Sequence, residues 1–161
     1  MSSTRTLVDL IESHSDALTD RLVSKIRSHQ RTLAFHGVDE MELARRARAI
    51  YGHLGYWLRS SSELQVEDAF FEVGRERFAE GIPLADVVAA QLLTRRNLWE
   101  FLDERLSADS AAELRGELDL QILVVRFFDH TILHTVRGYE AARKEGAQGA
   151  PPAARKAVAK G

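Results

Sequence analysis

Imidazole and guanidinium carry most of the chemistry open to this sequence. The chain has six histidines and no cysteine among 161 residues, so a soft-metal site or a general base near neutral pH would have to rest on histidine. His130 and His134 are four residues apart, which puts both on one helix face at a spacing that can chelate a metal ion. Their usual companions are missing. The segment HTILH lacks the glutamate of HExxH, and no histidine has a glutamate three residues before it, as carboxylate-bridged di-iron bundles require. The alternative is two partly exposed histidines closing an apolar seam. His14 reads as a hydrogen-bonded core histidine, and His53 lies one turn before Trp57, where it can stack on the indole. Haem remains open, because a helical bundle with several histidines could hold it through a proximal ligand, although no spacing singles that ligand out.

The second unusual group is Gln91 and Arg95, which stand one turn apart where an apolar stripe would run, with Trp99 a further turn along. A guanidinium inside an apolar face costs several kcal/mol unless it is paired and hydrogen-bonded. One reading gives Arg95 a salt bridge to Glu72 or Glu76, or lets it snorkel to the rim. The other makes Gln91 and Arg95 the polar floor of a ligand pocket for an anionic or polar molecule, with Trp99 as a wall.

Other catalytic patterns are missing. There is no GxSxG elbow, no GxxxxGK[ST] loop and no GxGxxG turn, and Glu76, Glu80, Asp103 and Glu104 interleave with arginines as solvated helix faces do. The expectation is a protein that is not an enzyme. The lack of cysteine excludes thiolate chemistry, iron–sulfur clusters and disulfides, and suits a reducing cytoplasm. No apolar run approaches the ~20 residues of a spanning helix, and charge precedes any long apolar run at the N-terminus, so no membrane association is expected. The net charge of −2 is uneven: five basic residues and one acid from Arg143 onward leave −6 on residues 1–142. An acidic body argues against nucleic acid as its partner.

These groups must be positioned by helices, since apolar residues recur at three- and four-residue spacing and no stretch alternates. The expected fold is all-α, a single-domain bundle of about five helices over residues 1–144. Helix one spans Thr6 to His29, and helix two, capped by Asp39, spans Glu40 to Arg59. Gly52 and Gly55 inside helix two suggest close approach of a neighbouring backbone. Ser60 to Ser62 form a loop before helix three, Val66 to Glu80. Gly81 then supplies a left-handed stop and Pro83 prevents Ile82 from staying helical. Helix four runs from Leu84 to Leu106, and helix five from a cap at Asp109 or Ser110 to Lys144.

Helix five has two apolar faces. Leu114, Leu118, Ile122, Val125, Phe128, Ile132, Val136 and Tyr139 form one; Leu120, Leu123, Val124 and Phe127 form the other, followed by the two histidines. A helix apolar all round is either central or shared with another subunit, and the second face is the expected homodimer contact. Residues 145–161, rich in Ala, Gly, Pro and Lys, read as a disordered basic tail.

Phe71 and Phe78 with Gly74 between them, then Gly81-Ile82-Pro83-Leu84, then Arg95-Arg96-x-Leu98-Trp99, form a pattern that resembles the RsbRD N-terminal domain family over about residues 66–106. Members are helical input modules of bacterial stress-signalling proteins such as the RsbT co-antagonists. The resemblance implies a globin-like domain without haem or other cofactor, which dimerises and passes its signal to an output domain and thence to a signalling partner. The residues beyond helix five are too few for a STAS, kinase or DNA-binding output domain, so the chain reads as a solitary or excised sensor-like domain. Two other classes stay open: a haem- or metal-binding helical sensor, and a small nucleic-acid-associated protein acting through the ARKAVAK segment of its tail.

Overall fold

A computed structural model describes residues 3–59, 62–105 and 111–149. All of the regular structure among them is helical: α1 (Ser3–Ser13), α2 (Ser15–Ser28), a 3-10 helix (Gln30–Phe35), α3 (Glu40–Tyr51), α4 (Leu54–Trp57), α5 (Glu63–Ala79), α6 (Leu84–Arg105) and α7 (Ala111–Gly149). The expected helix one is therefore two helices. At the break the Ser13 hydroxyl donates to the Leu10 carbonyl and His14 Nδ1 bonds the same oxygen, both at 2.9 Å. Side chains that compete for a backbone carbonyl in this way tighten and turn the helix.

Expected helix two divides as well, at Gly52 and His53, and α4 continues after the bend. A Cβ on Gly55 would meet Glu12 Oε1 at 3.0 Å and Val8 Cγ1 at 3.3 Å. The close neighbour is thus a pair of side chains on α1, not a backbone, and Glu12 is held there by accepting from the Gly55 N–H at 2.7 Å. Asp39 caps α3 as expected, accepting from the Met41 N–H at 2.7 Å. The stop after α5 also matches. Gly81 has φ of +75°, its N–H donates to Phe78, and Ile82 N–H donates to Arg77, the two bonds of a Schellman closure.

The bundle is organised around α7, which lies along α5 for much of its length and also touches α1 and α6. Two glycines set that closeness: Gly74 in α5 and Gly138 in α7 both sit against the opposite backbone. Inside the bundle α7 presents Leu120, Val124, Phe127 and Phe128, each 4% exposed or less. This corrects the expected dimer contact. Leu120, Val124 and Phe127 belong to the chain's own core and Leu123 is half-buried, whereas Leu114, Leu118, Ile122 and Val125 of the other face lie open. Both faces are apolar. The second face is covered together with the Phe128 end of the first, and only Leu114, Leu118, Ile122 and Val125 of the first stay open. Each large apolar side chain taken from water contributes ~1.5–3 kcal/mol, so the covered residues hold the bundle together.

The α7 helix continues to Gly149, past the expected end at Lys144, with Glu145 paired to both terminal nitrogens of Arg75 at 3.0 and 2.9 Å. The expected tail beyond residue 149, the loop at Ser60 and Ser61, the end of helix four at Leu106 and the caps at Asp109 and Ser110 lie outside the described residues.

Candidate functional site

The feature best suited to take up a molecule is a cavity of about 310 Å³ between α3 and α5. It arises because α3 leans on α2 while α5 leans on α7, which leaves the two helices apart. Leu22 and Ile26 of α2 and Phe35 of the 3-10 helix form the back wall, Leu43, Ala47 and Ile50 of α3 one side, and Ala69, Phe70 and Val73 of α5 the other. Trp57 closes one end and packs edge-on against Phe70, with ring centroids 5.7 Å apart. The floor comes from α6: Val87, Ala90, Gln91 and Thr94.

A charged clasp spans the rim. Arg46 of α3 donates to Glu42 at 3.0 Å and, across the gap, to Glu80 at 2.8 Å. The same Glu80 oxygen accepts from Arg77 at 2.8 Å, while Glu76 stands 3.7 Å from Arg77. Arg77 is only 7% exposed. Burial lowers its pKa from the ordinary arginine value and the nearby Arg46 charge acts in the same direction, against Glu80, Glu76 and Glu42. Hydrogen bonds from Arg45 and Arg46 hold the Glu42 carboxyl down at about 2.

Deeper in, polar groups are mostly satisfied. Tyr51 donates to the Thr94 carbonyl at 2.7 Å, and buried Asn97 donates to the Leu18 carbonyl at 3.0 Å and to the Tyr51 oxygen at 3.2 Å. Burial pushes the Tyr51 phenol well above the ordinary tyrosine range. Gln91 Nε2 donates to Thr135 at 2.8 Å, and its Oε1 is buried without a partner.

Of the three residues expected to make a pocket, only Gln91 lines this cavity. Arg95 is half-buried elsewhere on α6, with no hydrogen bond or ion pair among the described residues. The expected bridges do not form, because Glu72 faces Arg75 at 3.9 Å and Glu76 faces Arg77. Trp99 flanks a surface groove with Leu114 and Leu118 of α7. The buried, paired arginine of this fold is Arg77, which the sequence reading missed. Its signal was present: Arg77 continues the Phe70 and Gly74 face of α5 at three- and four-residue spacing.

The histidines do not gather. His130 and His134 stack with ring centroids 6.0 Å apart and planes 7° apart, and among the described residues no group of three or more His, Cys, Asp or Glu is arranged to hold a metal ion. The cavity lining contains no His, Met, Tyr or Cys, so it offers no axial ligand to a haem iron. His14 is half-buried, bonds the Leu10 carbonyl and packs on Phe101, so it is hydrogen-bonded as expected but sits at the edge of the core. The Trp57 ring meets Tyr56, Phe70 and Phe127, and the expected His53 stack is replaced by these. No helix among the described residues is long and apolar enough to cross a membrane.

The family model described as the RsbT co-antagonist protein rsbRD N-terminal domain matches residues 16–150, a span that takes in every element lining the cavity and leaves out α1. No curated protein and no solved structure matches the chain. The helical core organised on α7, the Gly81 closure and the extent of that match lead to one assignment: the chain belongs to the RsbRD N-terminal domain family, a stress-signalling, sensor-like module.

Proposed function

We propose that this chain is a non-enzymatic, cytoplasmic signal-input domain that works as a homodimer and transmits its state to a signalling protein by direct contact. The observation that carries the reading is the open face of α7. Leu114, Leu118, Ile122 and Val125 are 50%, 51%, 67% and 38% exposed, at positions i, i+4, i+8 and i+11 of one helix. Single exposed apolar residues are ordinary on a protein surface, but a helical stripe of four is a packing surface without its counterpart. A stripe on a long helix can pack against its own copy about a two-fold axis, so that one sequence supplies both halves of the contact. Because α7 also carries the core face, a shift of one α7 against its partner would reach the bundle interior directly.

Light scattering of the purified protein tests this reading. The native chain is expected to run at twice its 18.1 kDa mass, and the double variant Leu118→Glu with Ile122→Glu is expected to be a folded monomer with unchanged helical circular dichroism. A native monomer at high concentration would overturn the proposal.

A further inference from the structure

The cavity between α3 and α5 has a chemistry that selects its occupant. At about 310 Å³ it is roughly twice the size of an engineered apolar cavity of ~150 Å³ that stays dry and takes up benzene, which leaves room for on the order of a dozen non-hydrogen atoms. Small side chains create the space: Ala47 on α3, Ala69 on α5 and Ala90 on α6 all line it. Walls of this kind lose dispersion contacts when nothing lies against them, and water is a poor filler because each molecule needs two to four polar partners.

The unpartnered amide atom of Gln91 is closed to the cavity and adds nothing to its selectivity. The Gln91 amide uses one atom on Thr135, and its other atom is buried without a partner. Turning the amide end for end keeps the Thr135 bond, since a hydroxyl both donates and accepts, so either setting leaves one amide atom over. A carboxylate would have to leave water for a lining that is mostly apolar. It would also find the rim charges already matched, with Arg45, Arg46 and Arg77 set against Glu42, Glu76 and Glu80.

We infer that the cavity binds a neutral, mainly apolar molecule of about a dozen non-hydrogen atoms. This names the stimulus site of the proposed input domain, and it rests on that reading only for its signalling consequence; binding itself does not require the dimer.

Calorimetric titration with 1-decanol and, in parallel, decanoate tests it, with the mass of the same samples taken by light scattering. Decanol is expected to bind one molecule per chain, with decanoate at least tenfold weaker. Ala90→Leu or Ala69→Leu fills the space, and whichever of the two keeps the native helical signal is expected to abolish binding. The inference falls if the native chain does not bind decanol, if filling the cavity leaves binding intact, or if decanoate binds as tightly. A dimer that ignores decanol overturns this inference alone, and a monomer that binds it overturns only the dimer reading.

Discussion

Gly74 of α5 and Gly138 of α7 bring two helix backbones into direct contact. A Cβ on Gly74 would lie 2.0 Å from the Thr135 carbonyl oxygen, and one on Gly138 would lie 1.8 Å from the Phe71 carbonyl oxygen. Backbone cannot swing aside as a flexible side chain can, so a methyl group at either position has to move a helix.

Gly138→Ala and Gly74→Ala are accordingly expected to lower stability by ~3 kcal/mol or more, the upper range for overpacking. Gly146→Ala is the control. Its Cβ would meet Phe78 at 3.5 Å, ordinary contact, so it should leave stability unchanged or raise it by up to ~1 kcal/mol through helix propensity. Urea unfolding of the three variants separates these outcomes, and equal effects at all three sites would contradict the close crossing.

The clasp at the rim of the cavity should respond asymmetrically. Glu80→Gln removes the close partner of Arg77 and leaves that buried guanidinium with Glu76 at 3.7 Å, a loss of the order of 3 kcal/mol for a charge left without its partner. Arg77→Met removes the buried charge itself, and Glu80 keeps Arg46, so a change under ~1.5 kcal/mol is expected for a substitution of this kind. Chemical denaturation of both variants, with the larger loss at Arg77, would reverse this account of which charge is the burden.

Arg95 offers a contrast. With no partner to lose among the described residues, Arg95→Met is expected to stay within ~0.5 kcal/mol of native, as surface changes away from special features do. A loss of ~3 kcal/mol in the same denaturation measurement would mean that a carboxylate pairs with it in solution.

The Glu42 carboxyl gives a pH signature. Its pKa is lowered from 4.5 to about 2, first by the Arg45 hydrogen bond and then by that of Arg46. A carboxylate depressed on folding stabilises above its unfolded pKa and loses that contribution as pH falls through the folded value. Native protein should therefore be more stable than Glu42→Gln at about pH 6, with the gap closing between about pH 4.5 and about pH 2. Solvent screening keeps the gap small, since Glu42 is partly exposed. A gap that persists below about pH 2 would show that Glu42 acts through packing rather than charge.

What could be read from the sequence was local or periodic. Gly81 followed by Ile82 and Pro83 dictates a left-handed stop within a few residues, and Asp39 caps the helix that begins at Glu40, so neither needs knowledge of distant contacts. Family membership was legible from Phe71, Gly74, Phe78 and the Gly81 turn for the same reason. The breaks at His14 and at Gly52 were not, because apolar periodicity runs through both: the Ser13 and His14 bonds to the Leu10 carbonyl are local but leave that periodicity intact, and the Gly55 contact with Glu12 depends on how the helices pack. The two faces of α7 were visible, but similar apolar character on both leaves no local sign that the second face and the Phe128 end of the first are buried while Leu114, Leu118, Ile122 and Val125 stay open. Gln91 drew notice as a polar residue on a core-facing helix and does line the cavity. Arg95 and Trp99 shared its stripe without sharing its surroundings, because along a helix as long as α6 one face passes over several different neighbours.

The central claim, a homodimer built on the open face of α7, is tested most directly by cross-linking, for which the cysteine-free chain is well suited. Ile122→Cys places one thiol in the middle of the stripe, and Met41→Cys places one on α3 at a site 81% exposed. Mild oxidation at micromolar protein is expected to convert Ile122→Cys to a disulfide-linked dimer while Met41→Cys stays monomeric on non-reducing gels. Equal cross-linking of the two variants, or none at Ile122, would contradict the account.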